Sequence, residues 1–279
     1  MSQLPESRRL AVFCDFENVA LGVRDARYDK FNASKVLERL LLKGSIVVKK
    51  AYCDWERYKE FRAAMHEAAF ELIEIPHVRQ AGKNSADIRM VVDALDLCYT
   101  KSHVDTFEII SGDSDFSPLV SKLRENNKLV IGVGVRNSTS DLLIGNCDEF
   151  IYYDDLVRDS EAQRRGKKKA KTAAPKATPK SAPRKPAPAA AEEEKRQEGL
   201  ELVLETVEDL FRERGEDEKL WGSMVKQALK RRKPGFNESY HGFGSFSKLL
   251  EEARDRQQLE IELDEKSGSY IILGFGPEE

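Results

Sequence analysis

Cysteine is scarce in these 279 residues: Cys14, Cys53, Cys98 and Cys147 are widely spread and form no CxxC pair. That spacing argues against structural zinc and a disulfide framework, so the four are expected as reduced thiols of a cytoplasmic protein. No apolar run reaches the roughly 18 residues that a membrane-crossing helix needs, so neither a transmembrane helix nor a membrane partner is expected. The opening MSQLPESRRLAVF has too short an apolar stretch for a signal peptide, and Asp15 and Glu17 follow at once. Phosphate-cradling glycines are missing too. There is no Gly-x4-Gly-Lys-Ser/Thr loop, and IGVGV at 131–135 lacks the GxGxxG spacing of a dinucleotide site. His66, His77, His103 and His241 have no evident triad partners and are expected as structural or surface residues. Cys14 reads as core rather than nucleophile.

What is present is a charge pattern that the net value of −3 conceals. Residues 1–160 hold 22 basic and 26 acidic side chains, residues 161–191 ten and one, and residues 192–279 fourteen and 22. A cationic stretch between two acidic segments suggests a polyanionic partner. Hydrophobic residues at 40% and charged residues at 34% allow a packed core beside long solvated segments.

Periodicity divides the chain into three parts: an α/β domain over residues 1–158, a linker over 159–194 and a small domain over 195–279. In the first, strands are predicted at Arg9–Asp15, Ser45–Cys53, Leu72–Ile75, Phe107–Ile110, Leu129–Val133 and Phe150–Tyr153. Helices are predicted over Ala33–Leu42, Trp55–Phe70, Ser85–Tyr99, Phe116–Glu125 and Ser140–Asn146, with Ile88, Val91, Val92, Leu95 and Tyr99 as the apolar side of the third. This alternation indicates a parallel sheet with helices on both faces. The Lys-, Pro- and Ala-rich linker has no apolar period and is expected to be disordered. In the last part, helical stripes around Leu200–Phe211, Trp221–Leu229 and Phe246–Leu250 precede a hairpin across DEKSGS, which suggests a winged helix.

In parallel sheets of this kind ligands bind beyond the carboxyl ends of the strands. Acids gather there: Asp15-Phe16-Glu17-Asn18, Asp87 after Lys83-Asn84-Ser85-Ala86, Ser111-Gly112-Asp113-Ser114-Asp115 and, more weakly, Asp141 and Asp148. Carboxylates brought together need a counter-charge. Mg²⁺ or Mn²⁺ would supply it through oxygen ligands and would activate water against a phosphodiester. The expected ligand set is Asp15, Asp87 and Asp113, with Asp115 ligating or orienting water. Asn18 would orient a carboxylate or a phosphate oxygen, and Ser111 would support the ligands. Taken singly, each acid has an ordinary reading. Asp15 could end a strand, Asp87 could suit a helix dipole, and Asp115 or Ser117 before Pro118 could cap a helix.

These motifs resemble a family. A strand ending in D-x-x-N, a helix opening near K-x-x-x-D and a strand running into SGDSDF, then IGVGV and CDEFIYYDDL, are similar to NYN domains of the PIN-like nuclease superfamily over about residues 8–156. The resemblance implies Mg²⁺- or Mn²⁺-dependent hydrolysis of RNA, with Asp15, Asp87, Asp113, Asp115 and Asn18 at the family's catalytic positions. Some relatives carry an acid before the second aspartate. Here Ala86 stands in that place, which leaves one or two metals open.

Phosphates would be gripped by Lys83, by Arg79, by Arg24 and Arg27, and by Arg136, all placed in loops at the expected active edge, and non-specifically by the linker. The last part resembles the OST-HTH (LOTUS) module over about residues 196–274, on Trp221, Leu229–Phe236, Tyr240-His241-Gly242-Phe243, Phe246 and Leu249-Leu250. That resemblance implies RNA binding through Lys226, Lys230, Arg231, Arg232 and Lys233, with Tyr240 and His241 as exposed contacts. The reading is therefore a metal-dependent ribonuclease acting on single-stranded or structured RNA, with DNA and a protein partner of the last domain as further candidates. The alternatives are a non-catalytic RNA-binding adaptor and a protein-interaction module.

Overall fold

Strand β1 (Arg8–Asp15) is buried from Leu10 onward. An unbroken apolar run of this kind needs cover on both faces of a sheet. Leu10, Val12 and Cys14 face one core, which also holds Val19, Val23, Val36, Leu40 and Met65. Ala11 and Phe13 face the other, with Met90, Ala94, Leu119, Leu123 and Leu143. The computed structural model describes residues 8–28, 30–75, 85–158, 160, 189–214, 219–265 and 267–276. The chain divides into two units, Met1–Arg165 and Gly166–Glu279.

In the first unit β1 is followed by α1 (Phe16–Asp25), α2 (Ala33–Leu41), β2 (Gly44–Cys53), α3 (Lys59–Glu67), β3 (Glu71–Glu74), α4 (Ser85–Thr100) and β4 (Thr106–Ile110). Then come α5 (Ser117–Glu125), β5 (Leu129–Gly134), α6 (Asp141–Asn146), β6 (Glu149–Tyr152) and a helical segment over 153–158, α7. The six strands lie in the order β3-β2-β1-β4-β5-β6 and every pair is parallel. The chain winds outward from β1 in one direction, returns, and winds outward from β4 in the other. The carboxyl ends of β1 and β4 are thus neighbours at the switch point, where such sheets open a crevice. The expected α/β fold with helices on both faces is present.

Three local expectations are corrected. Helix α1 was not read from the sequence; it follows Asp15 directly, whose carboxylate caps it by accepting from the Asn18 N–H. The helix expected from Trp55 begins only at Lys59. Asp54 accepts from the N–H groups of Glu56 and Arg57, so a side-chain-closed turn precedes the helix. Helix α4 buries Met90, Ala94 and Cys98 and leaves Ile88, Val92 and Tyr99 of its expected apolar side exposed. Its apolar residues cover more than one stripe, and the smaller Ala94 and Cys98 allow closer approach to the sheet.

In the second unit α8 (Ala189–Arg214), β7 (Leu220–Trp221), α9 (Gly222–Arg232) and α10 (Phe246–Asp255) lead into the hairpin β8 (Leu259–Asp264) and β9 (Ser269–Phe275). The strands form an antiparallel sheet in the order β7-β9-β8. Leu200, Val203, Val225, Leu229, Leu249, Leu250 and Ile272 fill the core between helices and sheet. This is the element order of a winged helix. Helix α8 starts inside the segment expected as linker, because AAAEEEKR is built from strong helix formers. The expected disordered stretch at 161–188 lies outside the described residues, as do Arg79 and Lys83. No described helix is long and apolar enough to cross a membrane.

Candidate metal and nucleic-acid site

The switch point brings two of the acidic segments together through one hydroxyl. Ser111, fully buried just past β4, donates to Asp15 Oδ2 at 3.1 Å and accepts from the Asp113 N–H at 3.2 Å. A second link runs alongside, where Asn18 Oδ1 accepts from the Gly112 N–H at 2.9 Å. Asp113 Oδ1 caps the 3₁₀ turn Ser114–Phe116 by accepting from the Asp115 N–H at 3.0 Å. The helix starts are thus capped by Asp15 and Asp113 rather than by the expected Asp115 or Ser117, and Asp15 has both oxygens engaged, Oδ1 by the Asn18 N–H and Oδ2 by Ser111.

The loop after β5 closes the site from a third side. Ser140 N–H donates to the Gly112 carbonyl, and a Cβ at position 112 would run into the backbone carbonyl oxygen of Ser138. Only glycine fits between these segments.

Electrostatics tie Asp87, in the first turn of α4, to the same assembly. Burial and the Asp87 charge push the Asp15 carboxyl up to about 7, against the hydrogen bonds from Asn18 and Ser111, and Asp113 raises it further. Asp87 is itself raised by burial, by Asp113 and Asp115, and by Glu17. Glu17 carries no role in the sequence pattern. Its place in the first turn of α1, two residues beyond Asp15, puts it in the same field, and it is paired with Arg57 at 3.3 Å.

Among the described residues no three acidic, thiol or imidazole groups stand close enough to chelate one ion. The chemistry of the donors nevertheless fits Mg²⁺ or Mn²⁺. All are carboxylates, the ionised forms of Asp15 and Asp87 are disfavoured by their neighbours, and such ions commonly take one or two carboxylates and keep several waters.

The other candidates separate. Asp141 is exposed at the start of α6, behind the Ser140 cap. Asp148 belongs to the opposite edge of the sheet, where it accepts from the Val130 N–H at 2.8 Å and pairs with Arg124. Arg24 is not in a loop but in the last turn of α1, 3.6 Å from Asp25. Arg136 opens a 3₁₀ turn after β5, its guanidinium 3.7 Å over the Tyr152 ring and 3.4 Å from Asp155. Ala86 is partly buried against the α4-side core.

In the second unit the basic run caps the end of α9. Lys226 is paired with Glu238, and Arg232 with Asp209 at 2.6 Å and Glu205 at 3.0 Å. Arg231 and Lys233 are exposed, with no ion pair among the described residues. Lys230 precedes them in the last turn of α9. His241 corrects the expectation of an exposed contact. It is 4% exposed, stacked on Phe236, with Nδ1 2.8 Å from the Lys195 carbonyl oxygen. Tyr240 is partly exposed, with the Lys195 ammonium 4.8 Å from its ring centre.

The family model described as "NYN domain" matches residues 9–154, more than half of the chain. Among solved structures, a protein of unknown function from Vibrio parahaemolyticus is 27% identical with a TM-score of 0.49, over 55% of this chain and 98% of that one. No curated protein matches.

Proposed function

This chain belongs to the NYN domain family of PIN-like nucleases, and from that premise we propose that it is a metal-dependent ribonuclease whose C-terminal unit holds the RNA. The observation that carries the reading is the Ser111 bridge, which holds Asp15 and Asp113 together at the switch point under the field of Asp87. Of Asp15, Asp87 and Asp113, with Asp115 at the exposed rim, one or two would ligate Mg²⁺ or Mn²⁺ directly and the others through its waters. Such an ion, when bound, acidifies a water and offsets phosphodiester charge.

The chain's own groups prepare the site for that chemistry. Ser111 fixes the Asp15 carboxylate, and the Gly112 N–H fixes the Asn18 carboxamide through its oxygen, leaving the Asn18 amino group to donate to a phosphate oxygen. Asp115 orients the attacking water. Lys83, Arg79, Arg24 and Arg136 remain our candidates for cations flanking the substrate. In the second unit, read as an OST-HTH module, Arg231 and Lys233 lead the phosphate contacts, with Lys226, Lys230, Arg232 and Tyr240 beside them. The four free, buried cysteines accord with a reducing cytoplasmic compartment.

Attack by water leaves a 5′-phosphate and a 3′-hydroxyl. End analysis of the products of a labelled RNA, and of the same sequence as DNA, tests this. The expected result is those ends on RNA, and 2′,3′-cyclic phosphate ends would contradict the mechanism. One observation favours a second reading, a non-catalytic adaptor: an alanine, Ala86, packs where some relatives place an acid.

A further inference from the structure

Helices ordinarily turn their apolar side chains toward a core. Yet α4 leaves Ile88 63% and Val92 55% exposed, and Leu142 on α6 is 60% exposed. All three line one groove of about 710 Å³, together with Pro118 of α5 and two of the site's acids, Asp87 and Asp115. A second feature belongs to the same groove. Ser117, another lining residue, is 6% exposed, and its hydroxyl has no hydrogen-bond partner among the described residues. An orphaned buried hydroxyl is costly unless something satisfies it.

We propose that this groove receives an unpaired nucleobase of the substrate, from the nucleotide whose phosphate lies at the acids. The inference rests on the ribonuclease reading and adds a subsite of this chain, the place where the base beside that phosphate packs. Continuity carries it. Asp87 and Ile88 are consecutive, and Ser114 and Asp115 lead directly to Ser117 and Pro118, so apolar wall and acidic rim are parts of one surface. A nucleotide has the matching polarity, a charged phosphate joined to a flat ring with apolar faces and a polar edge. Ser114, Ser117 and Ser121 offer hydroxyls to that edge. A base within a duplex has its faces stacked and its pairing edge in use, so it cannot enter. Among the described residues no aromatic ring lines the groove, so there the base packs on aliphatic carbon and hydroxyls.

The test is an abasic scan. The full chain cleaves a short single-stranded RNA with Mn²⁺, and then the same strand with one base removed at each position in turn. One position beside the cut should lower kcat/KM by about tenfold, the effect of uncovering roughly 50 Å² of apolar surface. In the double variant Ile88→Ser/Val92→Ser that penalty should fall below about twofold, because the cavity no longer rewards the base. Both side chains are exposed, so the variant should keep the wild-type melting temperature. Leu142→Ser serves as the independent check. Cleavage that responds equally to every abasic position overturns the groove while leaving the ribonuclease intact. Absence of metal-dependent cleavage on any strand overturns both. If sedimentation shows wild-type self-association that the double variant abolishes, with cutting unchanged, the groove is an interface between copies and the proposal fails.

Discussion

Ser111 has no exposed surface, and its single oxygen serves both acidic segments, donating to Asp15 and accepting from the Asp113 N–H. Ser111→Ala removes both links and no bulk from the sheet. Removing such supporting partners costs about 10–100-fold in metal affinity or activity. We expect that loss in kcat/KM with an unchanged circular dichroism spectrum, and full activity would sink the role. Gly112→Ala should be more severe, because the added carbon meets backbone at Ser138 rather than a movable side chain. Glu108 makes a different prediction. Among the described residues both of its carboxylate oxygens are buried without a hydrogen-bond partner, and burial raises its pKa well above the ordinary 4.5, with Lys43 opposing. Above pH 4.5 the unfolded chain releases this proton while the folded chain retains it, so stability must fall as pH rises toward the folded value. Thermal denaturation from about pH 5 to 8 should show that decline in wild type and a flatter profile in Glu108→Gln. Parallel profiles would contradict it.

At the scale of elements, the strands were the most legible part. An apolar run such as Leu10–Cys14 has few alternatives inside a two-faced sheet, and all six expected strands occur within one or two residues of their predicted ends. The acids at strand ends were legible for the same reason, since a carboxylate that closes an apolar strand marks the sheet edge. What was not legible depended on partners distant in sequence. Helix α1 hid behind a motif read for its chemistry, the buried side of α4 is chosen by β1 and β2, and His241 is buried because Phe236 and α8 enclose it. Partners also divide the α9 cations. Arg232 is held by Glu205 and Asp209 of α8, so Arg232→Ala should lower stability by less than about 1 kcal/mol and weaken RNA binding less than loss of Arg231 and Lys233 does. Arg231→Ala/Lys233→Ala should weaken RNA binding and reduce the slope of log K against log salt by about two. Fluorescence anisotropy across a salt series separates the two cases, and equal slopes would remove α9 from the RNA surface.

Across the whole molecule, acidic stretches at residues 1–160 and 192–279 flank a strongly basic one in the sequence, and the two units have separate cores. Residues 1–165 should therefore retain metal-dependent cleavage when expressed alone, with a raised KM and little change in kcat. A loss of kcat instead would mean that the second unit completes the active site. The central claim is that the acids joined through Ser111 form a metal-dependent hydrolytic site. The most direct measurement is cleavage of a labelled single-stranded RNA by the full chain and by Asp113→Asn, each with Mn²⁺, Mg²⁺ or EDTA. The account predicts cutting by wild type with either metal, none with EDTA, and a loss of at least about a hundredfold in Asp113→Asn. RNA that is bound but left intact by both proteins, or cut equally by both, would contradict it.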